Sequence, residues 1–90
     1  MSVPTFHKRP GAERVFTIKW ANVLPDGVTI STASWQVPDA LTIIATSKTT
    51  TDTLVKLGGG VLGDLHPVLC QVVLSNGEKD ERTFYVGIVL

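Results

Sequence analysis

The chain has 90 residues, eight basic and eight acidic side chains, 43% hydrophobic residues and one cysteine. Ninety residues supply one core, so the chain is expected to be a single domain over residues 1–90. Zero net charge excludes a nucleic-acid binder that works by counterion release and a protein held on lipid by a polybasic patch, and a lone cysteine excludes an internal disulfide and a cysteine zinc site.

Val (12) and Thr (11) are the commonest residues, whereas Met occurs once. Beta-branched side chains fit a pleated strand better than a helix, and eight Gly and five Pro interrupt the chain too often for ordinary helices. A short strand near Phe6 comes first, with Pro4 and Pro10 allowing residues 1–10 to be an extended arm instead. Arg14 to Trp20 alternates, with Phe16, Ile18 and Trp20 facing a core and Thr17 and Lys19 facing out. Leu24-Pro25-Asp26-Gly27 supplies a turn. Val28 to Val37 is a second long strand whose phase slips midway: Val28 and Ile30 share one parity, Ala33, Trp35 and Val37 the other. A bulge near Ser31-Thr32 reconciles the halves, and a strand that changes sheets is the alternative.

After the break at Pro38-Asp39, Leu41 to Thr46 forms a short strand and Ser47 to Thr51 a polar loop. Thr53 to Leu57 follows, with Val55 and Leu57 inward. Residues 58–63 are expected to cross between sheets, and Pro67 to Leu74 is apolar on both faces. Asn76-Gly77 is a type I′ hairpin signal, and Arg82 to Val89 ends the chain with Phe84, Val86 and Ile88 inward. About seven strands at this spacing predict an all-β, immunoglobulin-like β-sandwich with no internal disulfide. Trp35 and Cys70 fall where such domains keep a tryptophan and half of a bridge; Cys70 reads as a small buried hydrophobe.

Gly58-Gly59-Gly60-Val61-Leu62-Gly63 spells the dinucleotide motif G-x-G-x-x-G. That motif aims a helix N-terminus at a pyrophosphate, and here Pro67 and a strand follow, so a turn between sheets is expected. Asp64, His66 and Ser75 supply the residue types of a nucleophilic triad without a nucleophile elbow. His66 is therefore expected to be a structural residue at the sandwich corner, bonded to a local carbonyl. His7, His66 and Cys70 fit no ligand spacing, and Tyr85 is the one candidate for a sugar platform. No enzyme, cofactor, metal or small-molecule substrate is expected. The chain start lacks the charged and apolar regions of a signal peptide, and no apolar run is long enough to span a membrane.

Apolar side chains on outward positions exceed what one thin core needs. Ile44, Leu54, Leu69 and Val73 are of this kind, and the final strand runs to Leu90 without a polar tail. These five residues are the candidate partner contacts.

Phe6-x-Lys8-x-Pro10, then Val15 to Ala21 and Leu24, resembles the start of small phage virion proteins of the immunoglobulin-like fiber–tail adaptor type. The resemblance continues through Ile30 to Pro38, Val55-Lys56-Leu57-x-Gly59-Gly60-x-x-Gly63 and Asp80-Glu81-Arg82-Thr83. In such proteins Asp often precedes the first Trp, where this chain has Lys19, and a Tyr often stands where this chain has His66. The resemblance implies a non-catalytic virion adaptor assembled in the host cytoplasm, in several copies on a tail or connector ring. Its partners would be a fiber, the tail or connector, and copies of itself, with no nucleic acid and no membrane. A carbohydrate- or cell-surface-binding accessory domain and a capsid decoration protein are the alternatives.

Overall fold

A computed structural model describes residues 4–90. Seven strands run in chain order: β1 (Thr5–Lys8), β2 (Arg14–Lys19), β3 (Ile30–Gln36), β4 (Leu41–Lys48), β5 (Asp52–Gly59), β6 (Leu65–Leu74) and β7 (Lys79–Ile88). One sheet has the order β1-β7-β6-β3 and the other β2-β5-β4. All pairings are antiparallel except β1 with β7, which run parallel from Thr5 beside Tyr85 to Lys8 beside Ile88. An immunoglobulin constant-type sandwich places its first strand beside the second; here the first strand joins the last.

Alternation decides which side chains meet. Phe16, Ile18 and Trp20 from β2 and its end, Val55 and Leu57 from β5, the even residues from Val68 to Leu74, and Phe84, Val86 and Ile88 form one core. Full burial of a side chain of this size stabilises by roughly 1.5–3 kcal/mol, so the period of two supplies most of the driving force. Phe16 and Phe84 meet across the sheets at 5.6 Å, and Phe6 packs on both at 5.5 and 5.4 Å.

At the opposite side the core is polar by design of one residue. Thr53 Oγ1 accepts from Trp20 Nε1 at 2.9 Å and from the Cys70 thiol at 3.5 Å, so the two sheets share one buried hydroxyl. Burial pushes the Cys70 thiol up from its ordinary value, and the bond to Thr53 opposes the shift. Arg82, at the start of the inward row of β7, lies over the Trp20 ring at 5.0 Å and donates to the Lys19 carbonyl.

The bulge expected near Ser31-Thr32 is present, and several other expectations need correction. The bulge in β3 falls at Ser31, between the Ile30–Leu74 and Thr32–Val73 pairs, and no change of sheet occurs. A second bulge, not foreseen, falls at Ile44. Strand β4 runs on to Lys48 and β5 to Gly59, so the polar loop is only 49–51 and the crossing loop only 60–64. The Asn76-Gly77 turn is not type I′: Gly77 alone has a positive φ, of 89°. Gly77 N–H donates to the Leu74 carbonyl, and Leu74 N–H to the Glu78 carbonyl. That is a type I turn closed by a glycine bulge, and the Asn76 carboxamide caps it by accepting from Glu78 N–H at 3.0 Å.

Candidate functional site

The residues that looked most like chemistry hold the fold. Strand β6 begins at Leu65, where the dinucleotide motif requires a helix. Gly59 and Gly60 serve close packing instead: a Cβ on Gly60, whose φ is +108°, would clash with Ile88, and one on Gly59 would meet the Ala40 carbonyl oxygen at 2.9 Å. Asp64 and His66 stand at one end of β6 and Ser75 beyond the other. Nine residues of strand separate His66 from Ser75 by about 30 Å, so the triad does not assemble. The buried His66 ring does not reach for a carbonyl; its Nε2 accepts from the Val61 N–H at 3.2 Å, tying down the crossing loop. Among the described residues, no three His, Cys, Asp or Glu side chains converge as a metal site.

Lys8 is a second lock, and one that sequence reasoning missed. It is 3% exposed, and its Nζ donates to the carbonyls of Arg9 (2.7 Å), Pro10 (3.5 Å) and Gly59. Three donors meet three acceptors, which is the full capacity of an ammonium group. Burial lowers its pKa from the ordinary lysine value, and the Glu13 carboxylate works against that shift. Only the Lys-x-Pro spacing hinted at this role: the turn after β1 brings two carbonyls back over the lysine head.

What remains for a partner is the outside. On the four-stranded sheet, register places Leu65, Pro67, Leu69, Gln71 and Val73 of β6 beside Gly87, Tyr85, Thr83, Glu81 and Lys79 of β7. Leu69 and Val73 are half-buried on this outer face, but Gln71 lies between them. Its Nε2 donates to Glu81 at 3.1 Å, and Gln36 Nε2 approaches it from β3 at 3.5 Å. A polar belt therefore divides the face. On the three-stranded sheet, Leu54 is half-buried between Thr17 and Ser47, and Ile44 is 42% exposed at its bulge. Ile44 Cδ1 covers Gly58, whereas Lys56 and Ala45 fill the row between Ile44 and Leu54. Leu90, 86% exposed, follows β7. The five candidate contacts thus lie on two opposite faces and one end, and no single surface gathers them.

The largest apolar exposure not foreseen is at that end. Val61 and Leu62 in the crossing loop, Leu65 at 55%, and Val89 are exposed there with Leu90. Their backbones are tied together: Gly63 N–H donates to Ile88, Ile88 N–H to Asp64, and Val89 N–H to Lys8. Gly87 lets the neighbours close in, since a Cβ there would meet His7 at 3.1 Å and Leu65 at 3.6 Å. Starting β6 at Pro67 instead of Leu65 hid this end from the alternation pattern.

Residues 8–87 match the family described as podophage GP4 fiber-tail adaptor protein gp77. The chain belongs to this family. The match starts at Lys8 and ends at Gly87, so it spans the lysine lock, both sheets and the glycine loop. No curated protein matched the chain. The family is one of phage fiber–tail adaptors, structural parts of the virion. The motif residues quoted for the resemblance now have physical roles in an adaptor fold. Lys8 donates to the Pro10 and Gly59 carbonyls, Gly60 receives Ile88, and Arg82 covers Trp20. They shape the domain, and an adaptor of the virion binds other virion proteins.

Proposed function

We propose that this chain is a non-enzymatic adaptor of a phage tail, joining a fiber to the tail or connector through protein contacts alone. The match over residues 8–87 to fiber–tail adaptors carries this reading. The fold supports it: the residues with chemical potential are engaged in structural bonds, and apolar side chains emerge on two sheet faces and one end. The contacts are Ile44 and Leu54 on one face, Leu69 and Val73 on the other, and Leu90 with Leu65 at the end. A domain of two sheets suits this task, because its two outer faces can meet two different neighbours. Copies arranged around a ring would use heterologous contacts between unlike faces. The protein assembles with the virion in the host cytoplasm and needs no membrane or nucleic acid.

A sugar-binding role is less well supported. Tyr85 is only half-exposed on its face, Trp20 is fully buried, and Trp35 packs inward on Phe84 at 6.2 Å. The test is to produce particles without this protein. Tails that form but carry no fibers are expected; particles with normal fibers would overturn the adaptor role.

A further inference from the structure

The side of the molecule between β3 and β4 is open. Both strands are sheet edges. Residues 37–40 join them at one end. At the other, Ile30 N–H donates to the Thr50 carbonyl at 2.9 Å and Lys48 Nζ to the Ile30 carbonyl at 3.3 Å. Between these ties lies a cleft of about 320 Å³ whose lining includes Thr32, Ala33, Trp35, Thr46, Ser47 and Lys48. Hydroxyls and one ammonium group line it, and no acid does.

Strand β4 is exposed at every residue from Thr42 to Lys48, including Ile43, which shares the inward register of Leu57. Its outer edge offers unpaired backbone N–H and C=O groups to any extended chain.

We propose that this cleft takes an extended, acid-containing segment of another virion protein. The segment adds to the free edge of β4 over Ala45–Lys48 and sets a carboxylate near the Lys48 ammonium. The proposal rests on the adaptor reading and names how one partner is held. Lys48 keeps two further donors beyond its bond to Ile30. A second copy of this chain is a poor occupant for two reasons. Bulges at Ser31 and Ile44 twist both free edges, which blocks pairing along their length. Pairing β4 with itself would also join two edges that carry Lys48 and no acid. After the bulge the register is regular from Ala45 to Lys48, room for about four residues of a guest strand.

The test uses the full chain assembled into particles, with a photo-crosslinking residue at Ser47 and, separately, at Leu65, and adducts mapped by mass spectrometry. Ser47 is expected to capture one extended, acid-containing segment of a different virion protein. Lys48→Glu should lower that yield roughly tenfold or more while Lys48→Arg preserves it. Thermal unfolding of each variant checks that the fold is kept. Adducts at Leu65 but none at Ser47, or Ser47 adducts only to this same chain, would overturn the inference and leave the adaptor role standing. Absence of the protein from purified particles would overturn both.

Discussion

The Lys8 ammonium donates to the Gly59 carbonyl, joining the first strand to the end of β5 across 51 residues of chain. One buried cation thus fixes the N-terminal strand, the turn after it and the start of the glycine loop. Lys8→Met keeps most of the stem but leaves three carbonyls without their donor. It should cost about 1.5–3 kcal/mol, the range for hydrogen bonds to a charged group, in urea unfolding. An unchanged midpoint would show that water replaces the ammonium without loss.

The lysine also sets a pH dependence. Its folded pKa is lowered by burial, so between that value and 10.5 the unfolded chain binds the proton more tightly. This contribution to stability is present above 10.5 and is lost as pH falls through the folded pKa. Unfolding measured from pH 8 to 11 should therefore show the native chain gaining stability relative to Lys8→Met as pH rises.

Thr53 is the corresponding device on the other side of the core. Thr53→Val fills the same space but strands the Trp20 indole N–H and the Cys70 thiol. A loss of about 1–3 kcal/mol is expected, and Thr53→Ser should recover most of it. Equal stability of the Val and Ser variants would show that the shared hydroxyl contributes nothing.

Cys70 is fully buried and its thiol is pushed up from 9.0. Its reaction with a disulfide reagent should be roughly a hundredfold slower in the folded chain than in urea, because attack requires opening of the core. By the sign of the shift, its contribution to stability is full below 9.0 and is lost as pH rises through the folded value. Rapid labelling under native conditions would contradict the packing.

Gly60→Ala tests what the glycine motif is for. The added Cβ meets Ile88 and forces a residue with a side chain into φ +108°. A loss of about 1–3 kcal/mol or more is expected from backbone strain alone. Thermal unfolding reads it directly, and a neutral result would mean that the loop relaxes freely.

Much of the fold was legible because its cause is local and periodic. Phe16, Ile18 and Trp20, the even residues of β6, and Phe84, Val86 and Ile88 all point inward as their alternation required. Even the bulge at Ser31 showed as a slip of parity. The Ile44 bulge did not, because Ile43 and Ile44 are both apolar and hide the extra residue. The hairpin failed on chemistry: Asn76-Gly77 suits a type I′ turn, but Ser75 adds a third loop residue and only Gly77 takes a positive φ. The burial of Lys8 depends on carbonyls supplied by a strand far along the chain, which no short window can reveal. The same holds for the outer faces. Alternation assigned Leu54, Leu69 and Val73 to the outside and also puts Gln71 and Lys56 in those rows, but only the register shows the cross-strand partners, Glu81 and Gln36 beside Gln71 and Ala45 beside Lys56, that break the rows into separate pieces.

The central claim is that this domain is a structural link between fiber and tail. Cryo-electron microscopy of the intact particle tests it most directly. An adaptor should appear as density for a seven-stranded, two-sheet domain at the fiber attachment site, with a guest strand beside β4. Density for the domain on the capsid surface instead, or none anywhere in the particle, would contradict it.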